Sequence, residues 1–87
     1  MDVNLDNVAA ELQQVLEKLS QIYPTETKAE QLVVVGKAVN EIDIDRTLSP
    51  QVAAALKAGH ADDLRELVKH PLIKILLAAL AGWQDAV

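Results

Sequence analysis

The sequence predicts an all-α protein: a compact five-helix bundle that forms a single domain over residues 1–87. Three observations lead to this prediction. A length of 87 residues allows one domain, and a hydrophobic content of 51% is high enough to build a core. Apolar residues also recur at spacings of three and four, as they do on one face of a helix. The expected arrangement has two long N-terminal helices as a hairpin, two short helices and an apolar C-terminal helix.

The first helix is expected over residues 5–22. Its apolar residues follow the a/d spacing of a heptad and are Leu5, Val8, Leu12, Val15, Leu19 and Ile22. Ala9, Leu16 and Tyr23 widen this stripe to the width seen in globular bundles. Asn4 or Asp6 is placed to cap the start, and Pro24 ends the helix because it disfavours helical backbone at the residue before it.

The second helix is expected to begin after Thr27, which forms a capping box with Glu30. The apolar residues beyond it are Leu32, Val33, Val34, Val35, Ala38, Val39 and Ile42. Residues 32–35 also suit a buried strand, because β-branched residues favour strands, but the chain offers no second strand to pair with. Gly36 costs about 1 kcal/mol relative to alanine inside a helix. We therefore expect a neighbouring backbone to approach it closely.

Residues 43–48 are expected to form a polar linker. Ser49 is then the predicted cap of the third helix, with Pro50 at its first position and Gly59 at its end. A short fourth helix begins at Ala61 or Asp62, with Leu64, Leu67 and Val68 facing inward.

Pro71 separates this fourth helix from the last one, which is apolar on nearly every side. Such a helix is either a buried central helix or a membrane span. Lys74 interrupts the run, which is shorter than the roughly 20 residues that a bilayer requires. A central core helix is therefore predicted.

Charge and composition exclude several classes of partner. Residues 1–45 carry nine acidic and three basic side chains, whereas residues 46–87 carry a net charge of +1. The chain has no basic block, so neither nucleic acid nor an anionic membrane surface is an expected partner. The absence of cysteine excludes disulfides and thiolate sites, and no signal peptide is visible, so a cytoplasmic location is expected.

The sequence predicts no catalytic residue, no metal site and no cofactor. A zinc site needs three or four ligands close together, whereas His60 and His70 each lie in a turn and do not share one helical face. The alternating acids that begin at Glu41 resemble the start of a calcium loop, but Arg46 and Val52 occupy the positions where such a loop needs glycine and glutamate. The carboxylates at Asp62 and Asp63 suit a helix N-terminus, and Lys69 and His70 a C-terminus.

Three stretches resemble a small helical domain of cyanobacterial proteins, where it lies beside pentapeptide-repeat or other effector domains. These stretches are residues 12–25, residues 54–59 and residues 70–84. The resemblance spans most of the chain, but the matching residues fit helix ends and turns and carry no chemistry. The resemblance implies a non-catalytic accessory role in association. It does not assign a function to any residue of this chain.

Protein–protein association or oligomerisation is therefore the predicted function, through a protein partner or a homodimer formed by the first two helices. The candidate interface residues are Leu16, Tyr23, Val33, Val34 and Trp83. Trp83 is the expected anchor of such an interface, since tryptophan is enriched in interface hot spots, although a tryptophan at such a position more often fills the core. The alternative is a regulatory domain that binds a small ligand in a pocket near Trp83. The sequence also allows all these apolar faces to pack inside one monomeric bundle.

Overall fold

The computed structural model describes the backbone of residues 4–85 and the side chains of residues 4–82. Five helices follow one another in this part of the chain: α1 (Leu5–Ile22), α2 (Lys28–Ile44), α3 (Leu48–Lys57), α4 (Ala61–Leu67) and α5 (Ile73–Asp85). The radius of gyration is 12.0 Å, the value expected for a compact chain of this length. The predicted all-α five-helix bundle is confirmed.

The helix α1 has the predicted bounds, Leu5–Ile22. The Asn4 side chain accepts a hydrogen bond from the backbone N–H of Asn7 at 3.1 Å, and Tyr23 before Pro24 has extended backbone angles. The buried face of α1 consists of Val8, Ala9, Leu12, Leu16 and Leu19. The apolar stripe therefore reaches the core up to Leu19, whereas Ile22 at its end is 62% exposed.

The helix α2 begins with the predicted capping box. The Glu30 N–H donates to the Thr27 hydroxyl at 3.1 Å, and the Thr27 N–H donates to the Glu30 carboxylate at 2.9 Å. Residues 32–35 are helical, so the strand alternative is excluded. The helices α1 and α2 form the predicted hairpin, in which the ammonium of Lys18 lies 3.1 Å from the Glu41 carboxylate.

The start of α3 differs from the prediction. The helix begins at Leu48, and the cap is supplied by Asp45, whose carboxylate accepts hydrogen bonds from the N–H groups of Thr47 and Leu48 at 2.9 Å each. Pro50 still lies in the first turn, where its missing N–H has no partner within the helix. Ser49 is therefore not the cap. The carboxylate three residues upstream of Leu48 accepts the hydrogen bonds from the N–H groups that have no partner within the helix.

Gly59 ends α3 as predicted. Its φ of +83° is the left-handed conformation that glycine adopts without strain. The Gly59 N–H donates to the Leu56 carbonyl at 3.1 Å, and the His60 N–H donates to the Ala55 carbonyl at 2.9 Å. These two hydrogen bonds form a Schellman motif.

The C-terminal part is less enclosed than predicted. In α4, Leu64 and the following Val68 are buried, but Leu67 is 40% exposed, so its predicted inward position is wrong. In α5, one face is buried and Ala78 and Ala81 face solvent. The helix packs mainly against α2 and α4, whereas α1 packs against α2, α3 and α4. The predicted central core helix contributes Ile73, Leu76, Leu77 and Leu80 to the core, but it is buried on one face only, because small alanines form its outer side.

The core is apolar throughout the described side chains. Its fully buried large residues are Val8, Leu12, Leu16, Val34, Ile42, Val52, Leu64, Leu76 and Leu80. All five helices contribute to it, and within residues 4–82 no polar side chain is buried. The hydrophobic effect therefore accounts for the assembly of the bundle.

Candidate protein-interaction surface

The solvent-facing side of α2 carries three exposed large apolar side chains, Leu32, Val33 and Ile44. Five residues at spacings of four, three, four and four form what we call the outer stripe: Ala29, Val33, Gly36, Asn40 and Ile44. All five are exposed, Val33 by 53% and Ile44 by 69%. Leu32 flanks this stripe and is 60% exposed. The opposite side of α2 is buried in the core, so α2 carries apolar residues on two faces.

Gly36 opens a depression in the middle of the outer stripe. A Cβ atom added at Gly36 would meet nothing within 4 Å, so the close backbone approach predicted from the sequence does not occur among the residues that the structure describes. The depression lies between α1 and α2, and it is lined by Leu19, Tyr23, Val33, Gly36, Lys37, Asn40 and Glu41. The glycine therefore leaves a space that no part of the described chain fills.

Tyr23 and Lys37 form one wall of this depression. The Lys37 ammonium lies 4.8 Å from the centroid of the half-buried Tyr23 ring, which places a cation over an aromatic face. This contact draws the lysine toward α1. The centre of the outer stripe at Gly36 is left uncharged.

A second depression continues along the hairpin toward the α2–α3 connection and is more acidic. Its lining residues are Glu11, Gln14, Val15, Lys18, Glu41, Ile44, Asp45 and Leu48. The ion pair between Lys18 and Glu41 spans α1 and α2 at the boundary between the two depressions. The three carboxylates outnumber the single lysine, which agrees with the acidic balance of residues 1–45.

The structure divides the predicted interface residues into three groups. Val33 and Tyr23 lie at the surface of the hairpin, as an interface requires. Leu16 and Val34 are corrected, because both are 0% exposed and pack in the core of the single chain. The side chain of Trp83 lies outside the described residues, and so does the ligand pocket that was predicted near it.

Two residues of this surface were missed by the sequence interpretation. Leu32 was grouped with the other apolar residues of α2 without being placed at the surface, and Ile44 was assigned to the polar linker, whereas the structure includes it in the last turn of α2. The signal for Ile44 was present, because it lies eleven residues, about three turns, beyond Val33. No comparable signal existed for Leu32, because apolar residues follow it without interruption.

Both histidines have structural partners. The Nδ1 atom of His60, which precedes α4, lies 2.9 Å from the Asp63 carboxylate. His70 lies between α4 and α5, where its Nδ1 accepts a hydrogen bond from the Leu72 N–H at 3.2 Å. The other ring nitrogen of His70 lies 3.3 Å from the Ser20 hydroxyl of α1. His70 therefore links the α4–α5 connection to α1.

The Ser20–His70 pair is not arranged for nucleophilic catalysis. Because Nδ1 of His70 accepts from Leu72, the proton of the neutral ring is on Nε2, which then donates to Ser20 instead of removing its proton. Partial burial lowers the pKa of His70, and the nearby charge of Glu17 opposes that shift. Among the described side chains, no three His, Asp or Glu residues are grouped closely enough to hold a metal ion.

Comparison with known proteins adds no assignment. Neither protein-family models, nor curated protein sequences, nor solved structures gave a match to this chain. Within the described residues, every helix is too short or too polar to cross a bilayer.

Proposed function

We propose that this protein is a non-catalytic association module that binds another protein surface through the outer stripe of α2. The observation that carries the proposal is the exposure of Leu32, Val33 and Ile44, each by more than half, along one side of a single helix. Scattered apolar residues on a surface need no explanation, whereas several large apolar side chains exposed along one side of a helix support an interaction site.

The energetics favour covering this strip. Burial of apolar surface contributes about 25 cal/mol per Å² removed from water, before the costs of association are subtracted. The Gly36 depression gives a partner helix room to approach the backbone of α2. Tyr23 at its wall belongs to a residue type that is enriched in interface hot spots.

The spacing of the outer stripe indicates a helix as the surface that it binds. Apolar residues three and four apart form the seam of helix–helix pairs, and a single polar asparagine within such a seam fixes the register. Asn40 occupies such a position. An accessory role beside effector domains, which the resemblance in the sequence implies, belongs to the same proposal.

Site-specific photo-crosslinking in the cells that produce the protein tests this proposal. A benzophenone amino acid replaces Val33 in one variant, and it replaces the exposed Lys57 at the end of α3 in the control. We expect a discrete covalent adduct from position 33 and none from position 57. Adducts that are absent at 33, or equally abundant at both positions, would refute the proposed surface.

A further inference from the structure

We propose that the outer stripe binds a basic amphipathic helix of another protein, whose cationic side chains meet the carboxylates around Ile44 at the C-terminal end of α2. This inference rests on the proposed function and states the chemistry of its partner. Three features of the hairpin lead to it: the charges along α2, the direction of the helix dipole, and the exposure of Ile44 between carboxylates.

The negative charge on this side of the hairpin lies at one end of α2. Over residues 26–37 the acidic and basic side chains are equal in number: Glu26 and Glu30, Lys28 and Lys37. Around residues 41–46, including the facing part of α1, the acidic side chains outnumber the basic ones: Glu11, Glu41, Asp43 and Asp45 against Lys18 and Arg46. The attraction for a cationic partner is therefore located at the C-terminal end, where the second depression lies.

Two of these carboxylates have no cationic partner. Glu41 is paired with Lys18, and Asp45 accepts hydrogen bonds from the first N–H groups of α3. Neither Glu11 nor Asp43 forms an ion pair with any side chain that the structure describes. These two carboxylates are therefore available to the cations of a bound protein.

The dipole of α2 adds to the negative field at this end. The C-terminus of a helix carries a partial negative charge, so basic residues are favourable there and acidic residues are unfavourable. The last turn of α2 contains Glu41 and Asp43 and no basic residue. An arrangement that breaks a local rule in this way is expected at functional sites. A cationic side chain of a partner would interact favourably with both the carboxylates and the helix end.

A depression between the starts of α1 and α4 is also acidic, but its charges are compensated locally. Its lining residues are Asn4, Leu5, Asp6, Asp63, Glu66 and Leu67. Asp6 and Asp63 lie in the first turns of their helices, where the dipole favours acidic residues, and Asp63 also lies 2.9 Å from the ring of His60. We call it the comparison depression, because it has a similar composition without the unfavourable helix end.

Ile44 supplies the apolar contact at the acidic end of α2. It is 69% exposed, and it lines the second depression together with Val15 and Leu48. Around the helix axis, Glu41 lies about 60° from Ile44 on the side of α1, and Asp43 lies about 100° away on the other side. An apolar residue with carboxylates on both sides is complementary to an apolar helix face that is bordered by lysine or arginine.

Binding of a designed peptide to the purified chain tests the chemistry of the partner. The probe is a fluorescein-labelled helical peptide of about 18 residues, with leucines on one face and lysines on the other. The control peptide has glutamate at every lysine position. We expect fluorescence anisotropy to show binding of the lysine peptide alone, with a dissociation constant that rises as sodium chloride screens the carboxylates.

Paired charge variants locate the site of binding. Glu11→Gln combined with Asp43→Asn should raise the dissociation constant of the lysine peptide about fivefold, because two ion pairs are lost. Asp63→Asn combined with Glu66→Gln removes the same net charge from the comparison depression. This control should raise the dissociation constant less than about twofold, because screening weakens attraction over a distance.

An apolar pair of variants tests the contact with Ile44. Ile44→Gln should raise the dissociation constant roughly tenfold, because the buried apolar contact is lost. Leu67→Gln in α4 is the matched control, since Leu67 is also an exposed helical residue, and it should leave the dissociation constant unchanged. Circular dichroism of each variant checks that the helices remain folded.

Four results would overturn the inference. Equal weakening by the variants at both depressions would show attraction to the overall negative charge, and equal binding of the two peptides would show that charge does not select the partner. Self-association of the chain above 9.4 kDa that Ile44→Gln abolishes would assign the surface to a second copy. If the lysine peptide does not bind and position 33 still gives an adduct in cells, the proposed function stands with a partner of different chemistry.

Discussion

The two long helices of the hairpin use their apolar residues differently. In α1 the large apolar side chains converge on one face that is buried from Val8 to Leu19, and Gln14, Glu17 and Lys18 face solvent. In α2 only part of the apolar content is buried, and Leu32, Val33 and Ile44 remain outside. The comparison shows that α1 is built to complete a core, whereas α2 completes the same core and offers a second surface.

The two helices should differ most in the free energy of unfolding that is lost when one of their apolar side chains is truncated. Leu16→Ala in α1 should lower the free energy of unfolding by about 2–5 kcal/mol, because it removes buried methyl groups and leaves a cavity. Val33→Ala in α2 should change it by less than about 0.5 kcal/mol in the monomer. Urea denaturation at low protein concentration measures both. Leu16→Met, a change that conserves volume, serves as the control, and equal losses at 16 and 33 would contradict the assignment of Leu16 to the core.

The variant Gly36→Ala tests whether the space at the centre of the outer stripe is open. Alanine is favoured over glycine in a helix by about 1 kcal/mol, and the open space around Gly36 accommodates the methyl group. We expect the dilute monomer to unfold at a higher urea concentration, and Gly82→Ala in α5 should give an effect of the same sign. A loss of stability at Gly36 alone would show that a neighbouring group occupies the space.

The capping box tests how firmly the start of α2 is held. Thr27→Ala should cost about 1 kcal/mol, because it removes the acceptor of the Glu30 N–H. Thr27→Ser keeps a hydroxyl at the same place and should restore most of that stability. Thermal unfolding followed by circular dichroism compares the two variants, and an equal loss from both would show that the hydroxyl does not act as the cap.

The smallest change in stability is expected from the contact between α1 and the α4–α5 connection, when the pH is lowered. Burial lowers the pKa of His70 below 6.5, so the folded state favours the neutral ring that accepts from Leu72 and donates to Ser20. The unfolded chain therefore binds the proton more readily, and stability should fall as the pH drops below about 6.5. Unfolding free energies at pH 7.5 and 5.5 measure this slope.

The variant His70→Gln should reduce this pH dependence, since glutamine does not titrate. Ser20→Ala is the companion variant: it removes the hydroxyl partner and leaves the titrating ring in place. A pH dependence that is unchanged by His70→Gln would assign it to other groups.

The sequence by itself determined where the helices lie and how most of them begin and end. The bounds of α1, the capping box of α2 and the glycine that ends α3 are local: each depends on side chains and backbone within a few residues, so spacing is enough to predict them. The cap of α3 shows where this reasoning fails, because several nearby polar residues compete for the same N–H groups and the geometry of the connection selects Asp45 over Ser49.

The tertiary structure alone decided which apolar face of α2 is buried. Apolar residues surround much of this helix, so its sequence does not distinguish Val34, which is 0% exposed, from its neighbour Val33, which is 53% exposed. That choice depends on where α1, α3 and α5 lie around α2, and these positions are set by packing between residues that are distant in the chain. Burial is a property of the assembled bundle, and the surface that remains exposed is determined with it.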